Sequence, residues 1–245
     1  MTQRATGRRA PLIWTLTEGR GLFDLGSFRL LKTAMQRLPR GDGHCVLVLP
    51  GFLAGDGSTR PLRGLLRDLG YDAQGWGMGQ NLRFNAERDR QMMDLVERVY
   101  AQKGRKISLI GWSLGGVFAR EIAKGVPEKV RCVITLGSPI SNERAHSNAR
   151  NLFEAINGKS TTPLSDGRYQ DLEAPPPVPT TSIFTKMDGV VNWRGSVQKP
   201  GGETENICLP SSHLGIGVSP LTMVAIADRL IQPEGDWMPF DRSGW

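Results

Sequence analysis

Residues Lys106–Gly125 read KISLIGWSLGGVFAREIAKG, and the fold of the chain follows from this stretch. The opening apolar run, with Ile107, Leu109 and Ile110, has the character of a buried parallel strand. Gly111-Trp112-Ser113-Leu114-Gly115 comes next, and helical periodicity then puts Leu114, Val117, Phe118 and Ile122 on one face. Gly125 is the expected C′ residue, and Pro127 blocks further helix. A G-x-S-x-G turn between strand and helix forces its serine into a strained conformation, with glycines on either side making room for tight packing. Ser113 should then stand above the carboxyl edge of the sheet, at the positive end of a helix. The five-residue pattern alone recurs by chance. The strand before it and the helix after it make this instance informative.

Working upstream, Asn85 is a cap for a helix with Glu87 in its first turn and a stripe of Met92, Leu95, Val96 and Val99, stopping before Gly104. Tyr71–Trp76 reads as a short strand. Ser58 or Thr59 should cap a helix with Pro61 in its first turn, followed by Leu62, Leu65, Leu66 and Leu69 and ended by Gly70. His44–Leu49 (HCVLVL) is the first strand, closing on Pro50-Gly51-Phe52-Leu53. Before it, Leu22, Leu25, Phe28, Leu30, Leu31 and Met35 predict an amphipathic helix between Gly21 and Leu38. Packing against the sheet edge is its expected role, although its basic side also suits a membrane surface. Residues 1–9 are expected to be disordered.

Downstream, Val130–Leu136 is a strand closing on Gly137-Ser138-Pro139. Residues 142–179 break the rhythm, with one helix expected near Ala149–Ile156 and a Pro175-Pro176-Pro177 run, which is the pattern of a lid or binding loop. Thr181–Met187 is a strand ending at Asp188-Gly189, and Asn206–Leu209 is the last strand. Ser219 then caps a helix with Pro220 at its first position, running to Ile231. Alternation of apolar strands with helices implies an α/β fold, a mostly parallel sheet covered on both faces. Residues 1–43 form a basic N-terminal segment and 44–245 the α/β domain, with 142–179 as a small lid-like insertion.

Across 245 residues, 39% are hydrophobic and 22% charged, as in a soluble globular chain. Residues 1–43 carry eight Arg or Lys against Glu18, Asp24 and Asp42, so five of the seven net positive charges lie there. A solvated surface is the simpler reading. No helix-turn-helix, zinc-finger or RNA-binding signature accompanies the charge, so no nucleic-acid partner is expected. Cys45, Cys132 and Cys208 sit in apolar runs without metal spacing, as reduced core thiols do. Neither a signal-like apolar region nor a run approaching ~20 apolar residues is present, so a cytoplasmic protein without a transmembrane segment is expected. Gly75, Gly77 and Gly79 open no helix and predict no phosphate loop; no cofactor and no metal are expected.

A serine hydroxyl needs an adjacent base and a group to orient that base. Of three histidines, His44 begins a strand at the amino end of the sheet and His146 lies in the irregular insertion. His213 follows the last strand, on the same carboxyl edge as Ser113. An acid between the two in sequence satisfies the order Ser, Asp/Glu, His. Asp188 stands at a strand's carboxyl end, whereas Asp166 and Asp171 are more simply solvated and Glu205 starts a strand at the wrong end. Oxyanion stabilisation needs two backbone donors. Leu114 N–H directly follows the serine, and Phe52 N–H is the best candidate from the loop after the first strand, since Pro50 has none.

The segments LPGFLAGDGST, LIGWSLGG, ITLGSP, TKMDGVV and SSHLGI, spanning residues 47 to 217, together resemble the α/β-hydrolase fold, particularly its bacterial lipase and esterase-like members. By this resemblance Ser113 is the nucleophile, Asp188 the acid and His213 the base, with the Phe52 and Leu114 amides as the oxyanion hole. Two departures stand out. Pro50 occupies a place where many relatives carry histidine, and the two strands that usually precede His44–Leu49 are hard to find, so the sheet is expected to be abbreviated. Leu53, Trp112, Met187, Val190, Val191, Trp193 and Leu214 are the expected pocket walls, suiting a small-molecule or lipid-like ester. Trp112 and Val190 are as readily packing residues as pocket walls. Hydrolysis of a carboxylic ester is the expected function; acyl transfer on the same residues, or a binding protein that keeps the fold without catalysis, are the alternatives.

Overall fold

The structure, a computed structural model, describes residues 19–82, 85–141 and 168–241. The first described element is helix α1 (Arg20–Met35), followed by β1 (Cys45–Leu49), α2 (Asp56–Asp68), β2 (Asp72–Gly75), α3 (Ala86–Lys103), β3 (Ile107–Trp112) and α4 (Leu114–Gly125). Strands β4 (Val130–Leu136), β5 (Thr180–Phe184) and β6 (Thr204–Cys208) follow, and α5 (Pro220–Ile231) closes the order. The expected helix near 149–156 lies outside the described residues, together with His146 and Asp166.

Among the described residues six strands form one sheet in the order β2-β1-β3-β4-β5-β6, every pairing parallel. Each strand is therefore reached by a crossover, and the helices fall on both faces. Alternate residues of β1 show it directly. Val46 and Val48 join the core under α1, α2 and α5, while Cys45, Leu47 and Leu49 join the core under α3 and α4. All five are buried, so the run reads as continuously apolar rather than alternating. Phe28 and Met35 bring α1 into the first of these cores. Among the described residues no strand precedes β1 in the chain.

Caps behave largely as their chemistry requires. Asn85 accepts the Arg88 N–H at 2.8 Å, and Gly104 ends α3 in the left-handed conformation. Among the boundaries that differ from expectation, three have a visible local cause or consequence. Helix α2 begins at Asp56, not after Ser58 or Thr59, because the Asp56 carboxylate sits at its first position and takes the Trp76 and Gly77 amides at 3.0 Å each. Pro61 consequently lies inside the helix rather than in its first turn. Gly125 remains helical, and Val126 is the cap, immediately before Pro127 starts a short 3₁₀ turn. Strand β5 stops at Phe184, so Asp188 projects from a loop rather than from the strand end. The Thr185 hydroxyl diverts that loop by donating to the Ser211 carbonyl at 2.8 Å and accepting the Met187 amide at 3.2 Å.

Register decides what shares an edge. Leu49 pairs with Gly111, Trp112 with Leu136, Leu136 with Ile183, and Phe184 with Cys208. Loops carrying Phe52, Ser113, Gly137, Asp188 and His213 all leave the sheet from this one rim.

Candidate active site

Ser113 has φ 52° and ψ −120°, a conformation that a non-glycine residue adopts only when its surroundings impose it. The imposing contacts are visible. Its N–H donates to Leu136 O at 2.8 Å, and its carbonyl accepts Gly116 N–H at 2.9 Å. A Cβ on Gly111 would lie 2.2 Å from Gly115 O, and one on Gly115 would lie 2.3 Å from Leu49 O. Both flanking glycines of the motif are thus demanded by close backbone approach. The turn delivers Ser113 to the first position before α4, where helix N–H groups point outward.

His213 and Asp188 meet in the interior. Nδ1–H donates to Asp188 Oδ2 at 2.7 Å, with both side chains almost wholly buried. The other carboxylate oxygen accepts Val190 N–H at 2.8 Å and Val191 N–H at 2.6 Å. Asp188 is thereby held by its own turn and committed to one imidazole nitrogen, which leaves Nε2 as the basic one. Gly137, one residue beyond the Leu136 carbonyl that holds Ser113, packs against this pair: a Cβ there would be 3.2 Å from both Asp188 Oδ2 and His213 Nδ1. Across the rim, the Trp112 indole N–H donates to His213 O at 3.1 Å. The serine turn and the histidine loop are therefore joined twice.

The loop after β1 completes the rim. Gly51 lies against Ser113, its hypothetical Cβ 3.3 Å from Ser113 Cβ. Leu53 (φ 62°) donates its N–H to Asn81 O at 2.9 Å, the Asn81 amide reaches Pro50 O at 2.9 Å, and Asn81 N–H reaches Ala54 O at 2.8 Å. Among the described residues, the Phe52 and Leu114 backbone amides donate to no acceptor. Asn81, fully buried, is a positioning residue that sequence reading missed; no periodicity marks it, because its role is contact across 31 residues.

Of the apolar residues expected around the mouth, Leu53, Val190 and Leu214 are exposed and Met187 is half-buried. Val191 is buried in the interior. Trp112 packs beneath the rim, its ring against Gly217, and Trp193 stacks on Phe184 at 5.9 Å with the Arg194 guanidinium above it. Asp171 turns its own backbone, accepting Glu173 and Ala174 amides, and Glu205 pairs with Arg229.

A second Asp–His–Ser chain exists at the opposite, amino-terminal edge. His44 Nδ1 contacts Asp42 Oδ1 at 2.5 Å and Nε2 contacts Ser108 Oγ at 2.8 Å. Burial pulls the His44 pKa below its ordinary value, outweighing the Asp42 bond. For Asp42 burial acts upward, but hydrogen bonds from His44 and Arg131 prevail and its pKa falls. Ser108 lies within β3, fully buried and without positive φ. This chain braces the sheet and has no access to a substrate.

No protein-family model matches the chain. It is 34% identical over 113 residues to the serine hydrolase BPHL of Homo sapiens, a match spanning 42% of this chain and 38% of that protein. Among solved structures, Aspergillus fumigatus lipase B superposes with a TM-score of 0.61 at 15% identity, covering 82% of this chain and 56% of the lipase. The monoacylglycerol lipase of Paleococcus ferrophilus superposes with a TM-score of 0.55 at 16% identity, covering 79% and 95% respectively. With its parallel sheet, strained serine turn and buried Asp–His pair at one rim, the chain has the α/β-hydrolase fold.

Proposed function

We propose that this protein is a serine hydrolase that cleaves carboxylic esters with a hydrophobic acyl group. The observation that carries the reading is the buried Asp188–His213 bond, joined through Gly137 and Trp112 to the turn that strains Ser113. In the forward step His213 Nε2 takes the Ser113 proton as Oγ attacks the acyl carbonyl, and Asp188 holds the imidazole tautomer and stabilises the cation that forms. The tetrahedral oxyanion is received by the Leu114 and Phe52 N–H groups. Collapse expels the alcohol, protonated by His213, and leaves the acyl group on Ser113. Water then attacks the acyl carbonyl as its proton passes to His213, and collapse breaks the bond to Ser113 Oγ, which takes the proton back from His213 as the acid leaves.

Exposed Leu53, Val190 and Leu214 around the mouth favour an acyl chain over a charged metabolite. The three free cysteines suit a reducing compartment such as the cytoplasm. Among the described residues no helix is long and apolar enough to cross a membrane.

A fluorophosphonate probe with peptide mapping tests the reading. Covalent label on Ser113 in the folded protein, absent from Ser113→Ala, is the expected result; no adduct on folded protein would overturn it in favour of a binding role. Turnover of p-nitrophenyl esters of rising chain length, with and without a competing alcohol, then separates hydrolysis from acyl transfer and reports the acyl preference.

A further inference from the structure

Helix α1 is apolar on two sides. Its inward side places Phe28 and Met35 in the core with Leu25 against it, and Asp24, also buried, accepts a hydrogen bond from Ser211 Oγ at 2.9 Å. Its outward side presents Leu22, Phe23, Leu30 and Leu31, exposed by 78%, 67%, 83% and 44%. At 3.6 residues per turn these four span one half of the helix circumference, with Gly26, Ser27, Thr33 and Ala34 between them and Arg20 just inside one margin. Scattered single apolar side chains are ordinary on a protein surface; four on one helix face form a patch.

We propose that this face docks the enzyme onto an anionic lipid surface, a reading that rests on the hydrolase function proposed above. Charge selects the occupant. Arg20 and Arg29 project from the two borders of the apolar arc, and neither makes an ion pair with a described residue. The only carboxylate on α1 is Asp24, which is buried. A second copy of the helix would bring arginine to arginine with no acid between them, and residues 1–18 offer Arg4, Arg8 and Arg9 against Glu18 alone. Lipid phosphates supply the missing negative charge while the acyl region takes the leucines and the phenylalanine.

The helix is also fixed to the mouth of the site. A Cβ on Gly21 would lie 3.2 Å from Leu214 Cβ, and one on Gly215 would collide with Asp24 Oδ2 at 1.9 Å. Exposed Leu214, the residue beside His213, therefore packs against the first turn of α1. Docking through α1 turns the rim that carries Ser113 toward the surface in which a hydrophobic ester would reside.

Co-sedimentation of the full-length protein with phosphatidylcholine vesicles, with and without phosphatidylglycerol, tests the proposal independently of catalysis, because no substrate is present. Binding is expected only with the anionic lipid and should weaken as salt rises. Arg20→Gln with Arg29→Gln should weaken it about 30-fold, a factor of roughly five for each basic residue. Leu22→Ser with Phe23→Ser and Leu30→Ser should abolish it while leaving turnover of a soluble short-chain ester and the melting temperature unchanged. Binding that ignores the anionic lipid, or survives the triple substitution, overturns the proposal. So does a dimer in light scattering that the triple variant dissolves, or a fall in its melting temperature with new proteolysis in residues 1–18, since either shows that protein covers the face.

Discussion

The indole N–H of Trp112 is bonded to the carbonyl oxygen of His213 at 3.1 Å, tying the residue before the strained serine to the backbone of the proposed base. Because the two lie 101 residues apart, this bond sets one loop's position against another's rather than a local turn. Trp112→Phe keeps most of the ring and removes the donor. With a net hydrogen bond of about 1 kcal/mol at stake, kcat/KM should fall roughly fivefold to tenfold while the melting temperature changes little. Steady-state kinetics with a p-nitrophenyl ester check this.

Asp188→Asn should fold normally, since the turn amides of Val190 and Val191 still find an oxygen. The imidazole would then adopt the wrong tautomer, and the rate should drop by up to about 10⁴. Ser113→Ala and His213→Ala should each abolish ester turnover with near-unchanged thermal unfolding. Retention of most activity by Asp188→Asn would mean that another carboxylate orients the base.

Asn81→Ala removes the amide that holds Pro50 O and loosens the loop bearing the Phe52 N–H. The expected result is a stability loss of about 1–3 kcal/mol, as for a buried group left without its partner. A kcat lowered by roughly tenfold or more should accompany it, with KM affected less, because the proposed oxyanion donor would matter most in the transition state. Urea titration and full kinetics measure the two effects separately.

Gly115→Ala tests the elbow itself. Its new Cβ would sit 2.3 Å from Leu49 O and 2.7 Å from Pro50 O, both backbone atoms that cannot swing aside. Loss of soluble folded protein, or destabilisation of about 3 kcal/mol or more, is the expected outcome. Gly57→Ala, with open space around it, is the matched control.

Stability should depend on pH through the amino-edge pair. The folded-state pKa of His44 lies below its ordinary 6.5, so the unfolded chain binds the proton more readily. Its contribution is complete above about pH 6.5 and is lost as pH falls from there toward the folded value. Asp42, also lowered, adds stability that is present above its ordinary 3.8 and is lost as pH falls below it. Urea midpoints measured from pH 8 to pH 5 should fall, and His44→Gln should flatten that slope.

Sequence alone determined whatever is written in short-range order. The apolar run, G-x-S-x-G and the following helix specify the elbow because a strand, a tight turn and a helix N-terminus are local events. Asn85 and Gly104 bound α3 for the same reason, and the chain order of Ser113, Asp188 and His213 follows from parallel strands sharing one carboxyl edge. Tertiary structure alone decided the rest. Asp24 meets Ser211 across 187 residues, Asn81 reaches back to Pro50, and Asp56 moves the start of α2 by capturing amides beyond β2. It also decided that α1 turns only one of its two apolar sides inward. Periodicity marks which residues avoid water, whereas the partner each one meets depends on strand order and register, which no local pattern encodes.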